Sequence, residues 1–323
     1  MRVLVTGAAG FVGSHVVAGL VSRGHDVWGI DAFRSPDVRQ RKRRNLELAH
    51  ASGEWLFEHR EVGSLTASEM QGVDTVIHIA GQADLRASWD DFDGQLFDNL
   101  GETNRLARIV GEARIPRLIF ASSSAVYGEA LEYPVRETAS PHPRSPYGVT
   151  KLAGESLLEA HAAASHFDVV ALRLFTVYGP GQRDDMAIAQ LIDAALNGGA
   201  FTQFGDGTTV RDFTFVADVV AAFIASVERP VPPGLTCLNI GSVDEISLRD
   251  LVKLVETVTG NPIDVRVRPA QRGDVTRTCA DAREARRVLE WAPRVSLAEG
   301  IAWQVAFARD PSAMTWAARA PLT

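Results

Sequence analysis

Short apolar runs rich in β-branched residues alternate, through the first half of the chain, with longer stretches whose apolar positions recur at helical spacing. The runs are "RVLVT" (2–6), "DVWGID" (26–31), "DTVIHIA" (74–80), "RLIFASS" (117–123) and "DVVALRLF" (168–175); the intervening stretches predict helices over 11–23, 37–50, 89–114 and 147–165. Strands that are apolar on both faces and separated by helices are what a parallel sheet covered on both sides requires. The pattern therefore predicts an α/β fold, a Rossmann-type doubly wound sheet with helices on both faces. Beyond residue 174 the rhythm loosens into short strands in "AFTQFG", "TCLNIG" and "IDVRVR" and helices over 186–197, 247–260, 281–290 and 297–308. This reads as a smaller α/β lobe interleaved with returning strands of the large one. The expected division is 1–173 with 212–241 for the large lobe, 174–211 with 242–311 for the smaller, and a flexible tail over 312–323. Ligands of such sheets bind at the carboxyl ends of the strands, in the crevice between lobes.

Composition narrows the partners rather than the fold. At 323 residues and 46% hydrophobic the chain can bury a main core and a smaller one, and its formal net charge of -7 argues against a nucleic-acid or anionic-membrane partner. The basic cluster "RQRKRR" at 39–44 reads as a solvated entry to a helix, with an anion site as the alternative. Two cysteines without metal-ligand spacing, and an amino terminus that enters a strand at once, lead to the expectation of a cytoplasmic protein with reduced thiols and no metal.

The chemistry begins at the first turn. Gly7, Gly10 and Gly13 lie between strand one and the helix "FVGSHVVAGLVSRG", where backbone amides, including those of Phe11 and Val12, can approach a diphosphate held by the helix N-terminus. Asp31 ends strand two, where a carboxylate accepts hydrogen bonds from ribose hydroxyls and repels a 2′-phosphate. The cofactor expected is NAD, with "RKRR" keeping NADP open. Glu61 and Val62, closing strand three, are placed by the adenine; Ile79, Ala80, Gly81 and Gln82, closing strand four, and Asn99 are placed along the cofactor's middle. Tyr147 and Lys151 in "SPYGVTK" stand one helical turn apart, in a chain with only three lysines.

Four segments, "GAAGFVG", "ASSSAVYG", "SPYGVTK" and "RDFTFVADVV", occur in this order, and from residue 1 to about 309 the chain resembles the extended short-chain dehydrogenase/reductases of the nucleotide-sugar epimerase and dehydratase group. The resemblance implies that Tyr147 is the catalytic base, Lys151 its tuner and holder of the nicotinamide ribose, and Ser123 the assisting hydroxyl, within a serine run that leaves the choice open by one position. It adds Phe33 and Ser122 to the cofactor contacts. A free phenol titrates at about 10; a nearby ammonium and a positive nicotinamide ring are expected to lower it.

The same resemblance narrows the reaction. Ser124-Ala125 stand where the dehydratases carry Asp-Glu, and the Glu of the decarboxylases is missing, which leaves 4-epimerisation of a UDP-sugar. "LFTVYGPGQRDDMA" is similar to UDP-glucuronate 4-epimerases, in which Thr176 and Arg183 would hold the sugar carboxylate with help from Arg86. Anchoring that carboxylate opposes the loss of CO₂ to which a 4-keto glucuronate, a β-keto acid, is prone. Asp184 stands where the family has Pro, and is expected to pair with Arg183 and weaken its grip. Ser124 is placed by the sugar, and Arg211 and Arg272 by the diphosphate. The alternatives are a UDP-glucose or UDP-N-acetylglucosamine 4-epimerase and, from another class, a catalytically silent NAD-binding sensor. A homodimer is implied, built on the helices before and after "SPYG".

Overall fold

The computed structural model describes residues 1–34, 39–270 and 273–311. Seven parallel strands form its main sheet: β1 (Arg2–Thr6), β2 (Asp26–Asp31), β3 (Leu56–His59), β4 (Thr75–His78), β5 (Arg117–Ser123), β6 (Asp168–Leu174) and, after three strands of the smaller lobe, β10 (Leu235–Ile240). Their spatial order is β10-β6-β5-β4-β1-β2-β3, so the direction of winding reverses between β1 and β4. At that reversal the flanking crossovers diverge and leave a crevice. In β1 the alternation is explicit: Val3 and Val5 face one apolar layer with Val17, Leu20 and Phe223, while Leu4 faces the other with Leu106, Val110 and Leu158. The first layer lies under α1 (Phe11–Ser22) and α7 (Val216–Glu228), the second under α4 (Glu102–Ala113) and α5 (Pro146–Ser165).

The smaller lobe is built from a three-stranded sheet and a two-stranded one. The first is ordered β11 (Glu245–Ser247), β9 (Val210–Phe215), β7 (Thr176–Tyr178); the second pairs β8 (Ala200–Phe204) with β12 (Asp264–Arg268). Helices α6 (Ala187–Asn197), α8 (Leu248–Thr259) and α10 (Leu297–Arg309) close its own core around Tyr178, Phe215, Leu251 and Ile301. Residue 212, where the hydrophobic pattern put the return to the large lobe, lies inside β9.

Two predicted elements differ from the pattern. The helix expected over 89–114 is broken into a 3₁₀ turn at Ala87–Trp89, α3 (Phe92–Leu96), a π-turn at Phe97–Gly101 and then α4. The cause lies in contacts from other segments: the Asn99 side chain accepts from Gln82 N (2.7 Å) and donates to Gln82 O, Gln95 and Thr150, while Thr103 Oγ1 caps the Asn99 carbonyl at 2.6 Å. Such side-chain competition for the backbone widens a helical ladder. Strand three also ends before the residues expected to close it, so Glu61 and Val62 lie past it, Val62 opening a 3₁₀ turn.

Among the described residues no helix is long and apolar enough to cross a membrane. The flexible tail expected over 312–323 lies outside the described residues.

Candidate active site

The turn between β1 and α1 is shaped by close approach. Gly7 has φ +74°, and a Cβ there would stand 2.7 Å from Ala80 N; a Cβ on Gly13 would stand 2.0 Å from Gly7 O. Only glycine tolerates both the left-handed backbone and that contact. Among the described residues no side chain caps the α1 N-terminus at Gly10, so its first amides, beside Phe11 and Val12, face the cavity described below. An uncapped helix start with its partial positive charge fits a diphosphate. Asp31 is buried at the end of β2; its Oδ1 accepts from Phe33 N (2.9 Å) and Lys42 Nζ (2.6 Å), and its Oδ2 from Ala9 N (3.3 Å). The carboxylate is thus held at the carboxyl end of β2, beside the glycine turn. Lys42, from the basic cluster on α2 (Arg39–His50), is committed to Asp31 and lies 5.5 Å from the Phe33 ring centroid. Periodicity gave no sign of that pairing.

Other residues expected at the cofactor divide between cavity wall and scaffold. Ile79 and Gly81 line the cavity. Ala80 N donates to Thr6 Oγ1 at 3.2 Å, and Gln82 is tied to Asn99 and Asp98. Asn99 spends its amide on this scaffold, fixing the loop that carries Gly81. Val62 is buried in the second apolar layer, and Glu61 reaches Arg34 at 3.4 Å. Ser122 gives its hydroxyl to Glu155.

The residues that the sequence singles out for the reaction gather at the carboxyl ends of β5 and β6. Register pairs Ser123 with Leu174 at the carboxyl end of the sheet; Thr176 follows two residues on, and Ser123 and Thr176 both line the cavity described below. Helix α5 starts where Ser145 caps Gly148 N (3.1 Å) and Pro146 occupies the first turn. That start turns Tyr147 and Lys151 toward the same strand ends, and both are buried. Lys151 Nζ donates to Ala121 O at 2.8 Å and sits 4.8 Å from the Phe120 ring centroid and 6.0 Å from that of Tyr147. Burial brings the Lys151 ammonium down to about 8, with Glu155 one turn on pulling the other way.

Burial also pushes the Tyr147 phenol up from its ordinary value, opposed by a hydrogen bond with Ser123 and by the charge of Arg183. The lowering expected for the ammonium together with a positive nicotinamide ring therefore starts from a phenol that burial in the chain alone has raised.

A cavity of about 330 Å³ brings these groups together, with Phe11 and Val12, Ser123 and Ser124, Tyr147, Lys151, Thr176, Arg183 and Arg211 on its walls. A second, of about 260 Å³, adjoins it, and Thr176, Arg183 and Arg211 border both. Arg211 donates to Asp274 at 2.9 Å, and Arg86 lies over Phe204 at 4.9 Å in the second cavity. Arg272 lies outside the described residues.

Arg183 is engaged by acids other than the one the sequence singled out. It meets Asp185 through Nε (2.9 Å) and Nη2 (2.5 Å), Asp84 through Nη2 (3.0 Å) and the Ala83 carbonyl through Nη1 (3.0 Å), whereas Asp184 acts on the charge of Arg41. The tight turn in which Met186 N bonds Arg183 O folds residue 185 back onto the guanidinium. Sequence reading also passed over Arg144 and Asp274, which line the first cavity; Arg144 stands next to the capping Ser145, the one local hint that it could face the site.

Residues 3–241 match the NAD dependent epimerase/dehydratase family. The chain is 37% identical over 311 residues to the uncharacterized UDP-glucose epimerase YtcB of Bacillus subtilis, covering 95% of this chain and 98% of that one. Among solved structures it is similar to MoeE5 in complex with UDP-glucuronic acid and NAD (TM-score 0.87, 39% identity, 96% of this chain and 100% of that one). It is likewise similar to the Bacillus cereus UDP-glucuronic acid 4-epimerase in complex with UDP-glucuronic acid and NAD (TM-score 0.91, 34% identity, 96% and 100%). The glycine turn, the uncapped helix start and the buried Asp31 fit the dinucleotide these relatives carry, and the cofactor is NAD. By sequence, by fold and by the make-up of this crevice, the chain belongs to the NAD dependent epimerase/dehydratase family.

Proposed function

We propose that this chain epimerises a UDP-hexose at C4, interconverting UDP-glucuronate and UDP-galacturonate. One observation carries the reading: Ser123, Tyr147, Lys151, Thr176 and Arg183 line one cavity. In a hexuronate the C4 hydroxyl and the C6 carboxylate are substituents of neighbouring ring carbons. A base and a guanidinium converging on one cavity suit those two groups. Ser123 orients the C4 hydroxyl and Tyr147 takes its proton. When bound, NAD supplies the hydride acceptor and donor at C4 and, oxidised, a positive charge beside the phenol. Arg211 holds the diphosphate while the 4-keto sugar turns about its phosphate linkage and presents its other face. Tyr147 then returns the proton to C4 oxygen, and Arg183 with Thr176 keeps the carboxylate from leaving as CO₂.

A neutral UDP-hexose is the second reading, favoured by the carboxylates already on Arg183. Incubating the purified, NAD-supplemented protein with UDP-glucuronate and with UDP-glucose, and following each by NMR, tests both. UDP-galacturonate is the expected product. Turnover of the neutral sugar alone would reject the carboxylate reading and leave the epimerase standing. Absence of turnover with either, despite tight NAD and UDP binding, would point to a silent binding protein.

We also propose a homodimer. Phe92 and Leu96 on α3 and Val149 on α5 are exposed, and α5 continues that face with the exposed, small Ser156, Ala160 and Ala163. Such a stripe packs closely against a second helix of its kind. Sedimentation equilibrium is expected to give twice the chain mass, and Ala160→Arg the monomer mass; a monomeric wild type would end the proposal.

A further inference from the structure

A guanidinium offers two bidentate forks, one along Nε and Nη2 and one across Nη1 and Nη2. On Arg183 the first is closed by Asp185, and the second by Asp84 Oδ2 together with the Ala83 carbonyl. The second faces the loop shared by the two cavities, which includes Ala83 and Leu85. Asp84 is not a loosely placed surface acid. Its Oδ1 accepts from the amides of Arg86 and Ala87, both at 2.9 Å, so the turn that follows holds the carboxylate against Arg183. One cation thus faces two carboxylates, and a sugar carboxylate brought to the same guanidinium would be a third negative charge with no free fork to meet.

We infer that Asp84 is a specificity-determining residue that competes with the substrate's carboxylate for Arg183, setting the balance between acidic and neutral UDP-hexoses. The inference rests on the epimerase reading and deepens it. It requires only that the sugar's C5 substituent approach Arg183, and it holds whichever sugar the wild type prefers. Like charges brought together in a partly buried site cost enough to change binding by an order of magnitude or more.

Asp84→Asn removes the charge and keeps an oxygen for the Arg86 and Ala87 amides, so the turn is retained. For wild type and variant, both NAD-loaded, kcat/KM is measured with UDP-glucuronate and UDP-glucose, and the affinity for each by calorimetry. The expected result is a rise of about tenfold or more in the acidic-to-neutral ratio, carried by KM and affinity for UDP-glucuronate. A ratio within twofold of wild type overturns the role of Asp84. Turnover of neither sugar by the wild type rejects the epimerase reading instead, and the calorimetric ratio then still decides on Asp84. If neither sugar nucleotide binds, both ideas fail.

Discussion

Tyr147→Phe is expected to fold, bind NAD and UDP-sugar, and turn over about 10² to 10⁴ times more slowly than wild type, the range of a lost general acid–base group. The ring is buried and keeps its packing as phenylalanine; what disappears is the hydroxyl, on a side chain that shares the cavity with Ser123. KM and NAD affinity should move little, because Lys151, Asp31 and the glycine turn are untouched. Burial gives this variant diagnostic value. The chain alone makes the phenol harder to ionise, so its use as a base depends on charge added at the site, and an enzyme that ran equally well without it would have to use another acceptor. Turnover within tenfold of wild type, with NAD and substrate saturating, would remove Tyr147 from the mechanism.

The largest effect on stability is expected two turns further along α5, at Glu155. Glu155 and Arg173 form a buried ion pair with contacts of 2.9 and 2.7 Å, their side chains 3% and 6% exposed. Ser122 and Cys237 also donate to Glu155, and Arg173 reaches Tyr127 and the Glu137 carbonyl. Glu155→Leu strands a buried guanidinium, a loss of about 3–5 kcal/mol by urea unfolding. Because Glu155 supports the Lys151 charge, the variant should also lose that ammonium at a lower pH than wild type. Adding Arg173→Met should recover much of the stability, since a well-packed apolar pair often replaces a buried ion pair without loss. A single variant within 1 kcal/mol of wild type would show the pair to be dispensable.

How much of this was legible in the sequence depended on whether a feature is local. The turn at Gly7 and the carboxylate of Asp31 follow directly from a strand, a glycine turn and a second strand read in order. Tyr147 and Lys151 need only the helical repeat and the capping Ser145. Features made by distant segments were not legible. Asp84 reaches Arg183 from the loop after β4, and Lys42 reaches Asp31 from a helix whose charges looked like a solvated face. The π-turn at Phe97–Gly101 was hidden for the same reason, because Asn99 is recruited by the backbone of Gln82 rather than by its own helix. The burial that raises the Tyr147 phenol in the chain alone cannot be weighed from a spacing.

The pairing of Ser123 with Leu174 has a consequence for how such a protein can change. The Ser123 hydroxyl, proposed to orient the sugar's C4 hydroxyl, rides on a rigid chassis of backbone ladder, whereas the residues that would choose among sugars, Asp84 and Arg183, ride on interchangeable fittings bolted to its rim. Substrate preference can therefore be retuned across a lineage by altering the fittings alone, with the reaction centre left in alignment.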